Sequence, residues 1–121
     1  MSALDSALVA NVFTVGIEAE PVPAEQLVAG TPTTGWTSLV DFGATELGVW
    51  EMTPGAVTDI EIDEVFCVLA GRASVEFLDP PAAPIELVPG ALVRLQAGWR
   101  TRWTVTETLR KIAVIEGEDP K

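Results

Sequence analysis

From Trp36 onward, glycine and proline divide the chain into short runs of β-forming residues. Runs of Val, Ile, Leu, Trp and Thr alternate with turn signals such as Pro54-Gly55 and Pro89-Gly90. Strands at intervals of about 8–12 residues are typical of a β-sandwich or β-barrel. No run here shows the apolar stripe of an amphipathic helix. The pattern predicts strands at Thr37–Phe42, Leu47–Thr53, Val65–Ala70, Ala73–Leu78, Ile85–Val88, Ala91–Leu95, Arg100–Val105 and Leu109–Ile115.

The first third of the chain has a different character. Residues 1–16 are rich in Ala and Val with weak helical periodicity, which is consistent with a short helix or an arm. Prolines and glycines then interrupt residues 21–35, which indicates loops. We therefore expect an N-terminal arm with loops over residues 1–35, a single β-barrel domain over residues 36–116 and a flexible tail over residues 117–121.

Charge and composition exclude several classes of partner. The chain has 121 residues, 48% of them apolar, and a formal charge of −11. Such a charge opposes binding to nucleic acid or to an anionic membrane surface. No apolar run is long enough for a transmembrane helix, and no signal peptide is visible. Because the lone Cys67 cannot form an internal disulfide, we expect a cytoplasmic protein.

Two glycine-bounded segments resemble the sequence motifs of the cupin superfamily. The first runs from Pro54-Gly55 through Glu64 to Gly71, and the second runs from Pro89-Gly90 to Gly98-Trp99. The ordered set is most similar to the cupin-3 subgroup that includes (S)-ureidoglycine aminohydrolase-type cupins, over residues 45–116. The resemblance implies an all-β, double-stranded β-helix, which is a jelly-roll barrel.

The resemblance also implies where a metal would bind. In cupins the first motif supplies two histidines and a glutamate, and the second supplies one histidine. The glutamate corresponds here to Glu64, whereas the histidine positions correspond to Thr58, Ile60 and Thr101, and the chain contains no histidine. Transition-metal sites depend on imidazole, thiolate and carboxylate ligands, so we expect no metal and no cofactor. A shift of register leaves a hard cation on Glu61, Asp63 and Glu64 as an alternative.

Glu64 is the leading candidate for a functional residue. If the motif alignment holds, Glu64 points into the barrel beside Phe66, and a carboxylate there must be paired, hydrogen-bonded or protonated. Lys111 and Arg102 are the basic residues that could neutralise it. Glu64 is then either an acid/base or ligand anchor, with Lys111 as a tentative catalytic partner, or one half of a structural ion pair.

Tryptophans recur at strand positions near the second motif. Trp99 and Trp103 share one face if both belong to one strand, with Thr101 between them. With Trp50 on another strand, they form either an aromatic wall for a ligand or ordinary barrel filling. Cys67 lies on the opposite face from Glu64 and Phe66, and we interpret it as a buried structural thiol.

These features favour a metal-independent cupin that encloses a small molecule in its barrel. One alternative is a metal-free isomerase, lyase or hydrolase that uses Glu64 as acid/base. A further alternative is a structural or dimerisation module. Because the strands are more apolar than one barrel needs, we also expect a homodimer.

Overall fold

The computed structural model describes residues 7–116, and these residues form nine β-strands. The expectations for residues 1–6 and for the tail at 117–121 lie outside the described residues. Within the described part, no helix is long and apolar enough to cross a membrane. The strands are β1 (Glu20–Pro21), β2 (Leu27–Ala29), β3 (Thr33–Phe42), β4 (Thr45–Met52), β5 (Gly55–Ile60), β6 (Glu64–Asp79), β7 (Pro81–Leu87), β8 (Leu92–Leu95) and β9 (Arg100–Glu116).

Two long antiparallel strands, β6 and β9, connect the two faces of the barrel. The first half of β6 pairs with the second half of β9, and these halves are flanked by β8 and β4. The second half of β6 pairs with the first half of β9, and these halves are flanked by β7 and β5. The outer strands β3 and β2 extend the two sheets. The all-β jelly-roll prediction is therefore confirmed.

The strand boundaries differ from the sequence prediction at the bend. We expected separate strands before and after Gly71, and also before and after Thr106, whereas β6 and β9 run through both points. Their register shifts several times between Val68 and Ala73. Gly71 has φ +95°, and a side chain there would collide with the backbone of Thr108 and Leu109. The glycine therefore bends a continuous strand from one sheet into the other instead of ending it.

The space between the sheets is filled by residues from alternate strand positions. In β6, Glu64, Phe66 and Val68 are buried, whereas Val65 is exposed. The buried apolar residues cluster as Met52, Val57, Phe66, Val68, Ala73, Val75, Leu87, Leu95, Trp103, Val105, Leu109 and Ala113. Since a fully buried Leu or Phe stabilises the fold by about 1.5–3 kcal/mol, this cluster holds the two sheets together.

The described N-terminal residues pack on their own barrel. β1 pairs with β3, and β2 pairs with β5. Arg110 donates hydrogen bonds to the carbonyls of Val12 and Val15, and Thr37 donates to the carbonyl of Gly16 at 2.8 Å. β3 already begins at Thr33. The division of the chain at residues 35 and 36 stays a prediction.

One sheet contains β3, β4 and β8 with the first half of β6 and the second half of β9. Its outer face is apolar and only partly covered. Val65 pairs in register with Val114, and Cys67 pairs with Leu92, so these side chains share the face that points away from the core. Leu92, Val65 and Val114 are all exposed. Cys67 is half-buried on this face, which corrects the expectation of a buried thiol.

Candidate functional site

An open cavity of about 330 Å³ lies between the two sheets. Its walls combine tryptophan and aliphatic side chains with four ionisable groups. The lining residues are Trp36, Trp50, Val57, Asp59, Ile60, Glu61, Ile62, Glu64, Trp103, Lys111 and Ile115. This combination of an apolar wall with a few convergent charged groups is characteristic of small-molecule sites.

The register between β5 and β9 decides which side chains reach the cavity. Val57 pairs with Trp103, and Asp59 pairs with Thr101. Residues opposite each other in an antiparallel pair share a face, so Val57 and Asp59 point inward with Trp103. Glu61 follows with the same alternation and is buried.

At the centre of the cavity wall, Lys111 and Glu64 form a buried ion pair. Lys111 Nζ lies 2.7 Å from Glu64 Oε2, and both side chains are more than 90% buried. The ammonium also lies 4.1 Å from the ring centroid of Phe66, 4.6 Å from that of Trp50 and 4.7 Å from that of Trp103. The carboxylate and the three aromatic faces together stabilise a cation removed from water. The structure thus brings Glu64, Lys111, Trp50, Phe66 and Trp103 together.

A second carboxylate, Glu61, is held by hydrogen bonds from neutral donors. Thr101 Oγ1 donates to Glu61 Oε2 at 2.6 Å, and Trp103 Nε1 donates to the same oxygen at 3.0 Å. Its backbone is fixed as well, because Glu61 N donates to the Trp99 carbonyl and Gly98 N donates to the Glu61 carbonyl, both at 2.8 Å. Burial raises the pKa of Glu61, while the two side-chain hydrogen bonds oppose that rise.

Asp59 lies beside Glu61 at the edge of the cavity. Burial raises the pKa of Asp59 to about 6, and repulsion from Glu61 adds to the rise. The Ile60 amide donates a hydrogen bond to Asp59 Oδ1 at 2.9 Å and, together with Lys111, opposes the shift. Asp59 therefore changes charge close to neutral pH, a property suited to ligand binding or proton transfer.

The structure separates two predicted residues from the cavity charges. Arg102 lies on the other face of β9, where its guanidinium is 3.3 Å from Glu76, so the expectation that it could neutralise Glu64 is wrong. The Trp99 ring packs edge-on against Phe77 at 5.9 Å and does not line the cavity. Trp99 precedes β9, so it does not share a strand face with Trp103 as predicted.

Thr58 and Ile60 lie on the face of β5 opposite to Val57 and Asp59, although Ile60 still borders the cavity. Thr58 faces a neighbouring cavity of about 510 Å³, and Ile60 is 60% exposed at the boundary of the two cavities. Thr101 is fully buried and borders that neighbouring cavity as well, while its hydroxyl serves Glu61. A one-residue shift of register accounts for the misplacement of Thr58, because it exchanges the two faces of a strand.

Among the charged and aromatic residues of the cavity, Asp59 and Trp36 are the ones that sequence reasoning missed. Asp59 lies in the run Val57-Thr58-Asp59-Ile60-Glu61, in which the alternate residues Val57, Asp59 and Glu61 line the cavity and Ile60 borders it. That alternation was visible in the sequence, but an alignment to the histidine positions selects the opposite parity. Trp36 pairs in register with Trp50 across β3 and β4, and only this strand pairing brings the two rings to one wall.

The residues of the cavity do not fit the metal centre that the cupin resemblance implies. Glu64, the one ligand position that the motif retains, is occupied by the Lys111 ammonium at 2.7 Å, and a metal ion there would meet a like charge. Asp63 accepts a hydrogen bond from the Ala97 amide and pairs with Arg94, so it does not join Glu61 and Glu64. Among residues 7–116 no group of three Asp, Glu, Cys or His side chains could hold a metal.

The two facing sheets and the charged cavity between them define a cupin-type barrel. The chain belongs to the EutQ-like cupin domain family, whose model matches residues 41–113. This result confirms the cupin-3 assignment at the level of the family. No curated protein matches the sequence.

Solved structures with the same fold include several bacterial proteins. The Clostridium difficile EutQ protein is 17% identical with a TM-score of 0.62, over 73% of this chain and 65% of its own length. A DUF861-family protein of unknown function from Pseudomonas syringae is 20% identical with a TM-score of 0.71, over 84% and 44%. A putative ethanolamine utilization protein Q from Salmonella typhimurium is 13% identical with a TM-score of 0.61, over 88% and 99%. The chain thus spans less than two thirds of the first two proteins.

The buried ion pair yields a prediction about stability. We expect Lys111→Met to lower the free energy of unfolding by about 3 kcal/mol, because it leaves Glu64 buried without its partner. The double variant Glu64→Gln/Lys111→Met should recover much of that loss, since no charge remains unpaired. Urea unfolding measures both. The control Arg72→Met removes an exposed pair with Glu107 and should cost less than about 1 kcal/mol. A double variant that is less stable than Lys111→Met would contradict this account.

The raised pKa of Asp59 yields a prediction about pH. The folded protein binds the Asp59 proton more tightly than the unfolded chain does, so this residue favours folding below its ordinary pKa of 3.8. That contribution is lost as pH rises through about 6. As the pH rises from acidic to neutral values, the free energy of unfolding of Asp59→Asn should therefore increase by roughly 1–3 kcal/mol relative to that of the parent. Unfolding at several pH values tests this, with exposed Asp41→Asn as control. A difference between Asp59→Asn and the parent that stays constant with pH would refute it.

Proposed function

We propose that this protein is a metal-independent, small-molecule-binding cupin that encloses its ligand between the two sheets. The observation that carries the proposal is the open cavity of about 330 Å³, in which Asp59 and Glu61 face tryptophan and aliphatic walls. A cavity that served only as core would be filled by side chains, whereas this one is open. Hydrophobic walls supply affinity, and the buried carboxylates supply orientation.

Metal independence rests on the position of Lys111. Its ammonium supplies the positive charge beside Glu64 at which the implied metal would bind. The resemblance to (S)-ureidoglycine aminohydrolase-type cupins therefore extends, in this proposal, to the fold and not to their metal-dependent reaction. Elemental analysis of protein purified without an affinity tag tests this part. Stoichiometric zinc, iron, nickel or manganese that survives dialysis would refute it.

A metal-free enzyme is the second candidate, and Asp59 is the observation that favours it. A carboxyl whose pKa is about 6 exchanges protons readily near neutral pH. The Glu64 carboxylate, by contrast, is engaged by Lys111. The acid/base role that we first assigned to Glu64 therefore passes to Asp59 in this alternative. Incubating fresh protein with its recovered ligand separates the candidates, since a carrier returns the molecule unchanged and an enzyme converts it.

The binding proposal predicts a recoverable ligand. Untargeted mass spectrometry of molecules released from the purified protein should detect a small metabolite. Ile115→Trp fills the cavity from β9 and should abolish its recovery. Glu107→Trp adds the same side chain at an exposed position of β9 and should leave recovery unchanged. Equal recovery from both variants would place the ligand outside this cavity.

We also propose that two copies pair through the apolar outer face formed by Val65, Leu92 and Val114. Exposed apolar sheet faces of this kind are typical of interaction surfaces. Light scattering should show a dimer at micromolar concentration, and Val114→Lys should shift it toward monomer by placing charge in the interface. Glu107→Lys changes charge on the same strand outside this face and should not. A monomeric parent protein would contradict the pairing.

A further inference from the structure

We infer that the ligand of this cavity is a small organic cation that carries an ammonium group. The inference rests on the proposed binding function and specifies the chemical class of the ligand. It is carried by the balance of charge in the cavity, by a carboxylate oxygen that receives no described hydrogen bond and by the aromatic walls.

The cavity contains more negative than positive charge. Among its described lining residues, Asp59, Glu61 and Glu64 are carboxyl groups, and Lys111 is the single basic group. Glu64 is neutralised by Lys111 at 2.7 Å. Asp59 and Glu61 thus lack a basic partner inside this cavity. A cationic ligand would supply the missing charge in an environment where water screens poorly.

Glu61 offers one oxygen to the ligand. Both of its described hydrogen bonds, from Thr101 and Trp103, end on Oε2. Oε1 receives no hydrogen bond from any residue that the structure describes, although Glu61 is only 5% exposed and lines the cavity. Because Glu61 lines the cavity and the described residues engage only its Oε2, Oε1 is a natural partner for a ligand cation.

The walls carry the aromatic faces that ammonium groups prefer. The barrel already holds one ammonium in this way, since Lys111 Nζ lies within 4.7 Å of three ring centroids. Trp36 adds a further ring to the cavity that Lys111 does not use. Gly48 leaves room for that ring, because a Cβ there would lie 2.6 Å from it. The cavity wall therefore offers an aromatic face to the ammonium group of a ligand.

Protonation of Asp59 is the competing way to balance the charge. Asp59 faces Glu61, Glu64 and Lys111 within the cavity and receives a hydrogen bond from Gln26 Nε2 at 3.4 Å. Glu25 and Arg100 lie with it around the neighbouring cavity. Since its pKa is about 6, a bound cation must compete with a proton in mildly acid solution. Cation binding should weaken as the pH falls through this value, whereas binding of a neutral molecule should not.

A matched pair of probes tests the inference. Choline and 3,3-dimethylbutan-1-ol have nearly the same shape, but only choline is charged. In titrations followed by the indole N–H signals of the tryptophans, choline should bind about tenfold more tightly near neutral pH. The preference should shrink in acid and in Asp59→Asn, while the exposed Asp41→Asn should keep it. The pH series on the parent protein gives the answer even if a variant fails to fold.

The outcomes distinguish the class of ligand from the existence of a binding site. Equal binding of the two probes, or tighter binding of the alcohol, would overturn the cation and leave the binding cavity standing. If neither probe binds and mass spectrometry recovers an anionic or neutral metabolite, the cation is again wrong and the proposed function stands. If neither probe binds and no metabolite is recovered, both proposals are wrong.

Discussion

The pairing of β6 with β9 is the interaction on which the rest of the barrel depends. Each strand contributes one half to each sheet, so the two layers share one antiparallel strand pair whose register shifts at the bend. The bend at Gly71 makes this geometry available, because no side chain fits against Thr108. The same strand pair supplies the chemistry of the site. Glu64 comes from the start of β6, and Lys111 comes from the second half of β9.

The electrostatics of the cavity follow from how unevenly its charges are matched. Glu64 has a basic partner and three aromatic rings around that partner. Glu61 has only neutral donors, and Asp59 has a backbone amide and a distant glutamine amide. For the last two carboxyl groups burial outweighs these hydrogen bonds, and their pKa values rise. A ligand that carries positive charge would complete a site that the protein leaves half balanced.

The cavity differs from the implied metal centre in the group that supplies its positive charge. A cupin that holds a metal concentrates positive charge among neutral imidazoles and one carboxylate. Here a lysine side chain brings a single positive charge to Glu64 from the opposite strand. The fold that positions a metal can thus position an ammonium, because both need the same enclosed space and counter-charge.

The sequence by itself determined the all-β class, the family and part of the site. Turn residues and β-branched runs predict strands locally, and the motif around Glu64 and Gly71 is read from residue types in order. Lys111 was predicted because few basic side chains could neutralise a buried Glu64. Trp50 and Trp103 were predicted because few aromatic side chains could form a wall. The tertiary structure decided the rest. Pairing of Asp59 with Thr101 sets which face of β5 turns inward, and a slip of one residue would present Thr58 and Ile60 instead. Strand register likewise decides whether Arg102 or Lys111 reaches Glu64. The residue at which β9 begins decides whether Trp99 shares a strand face with Trp103. These relations join residues far apart in the chain, so no local pattern encodes them.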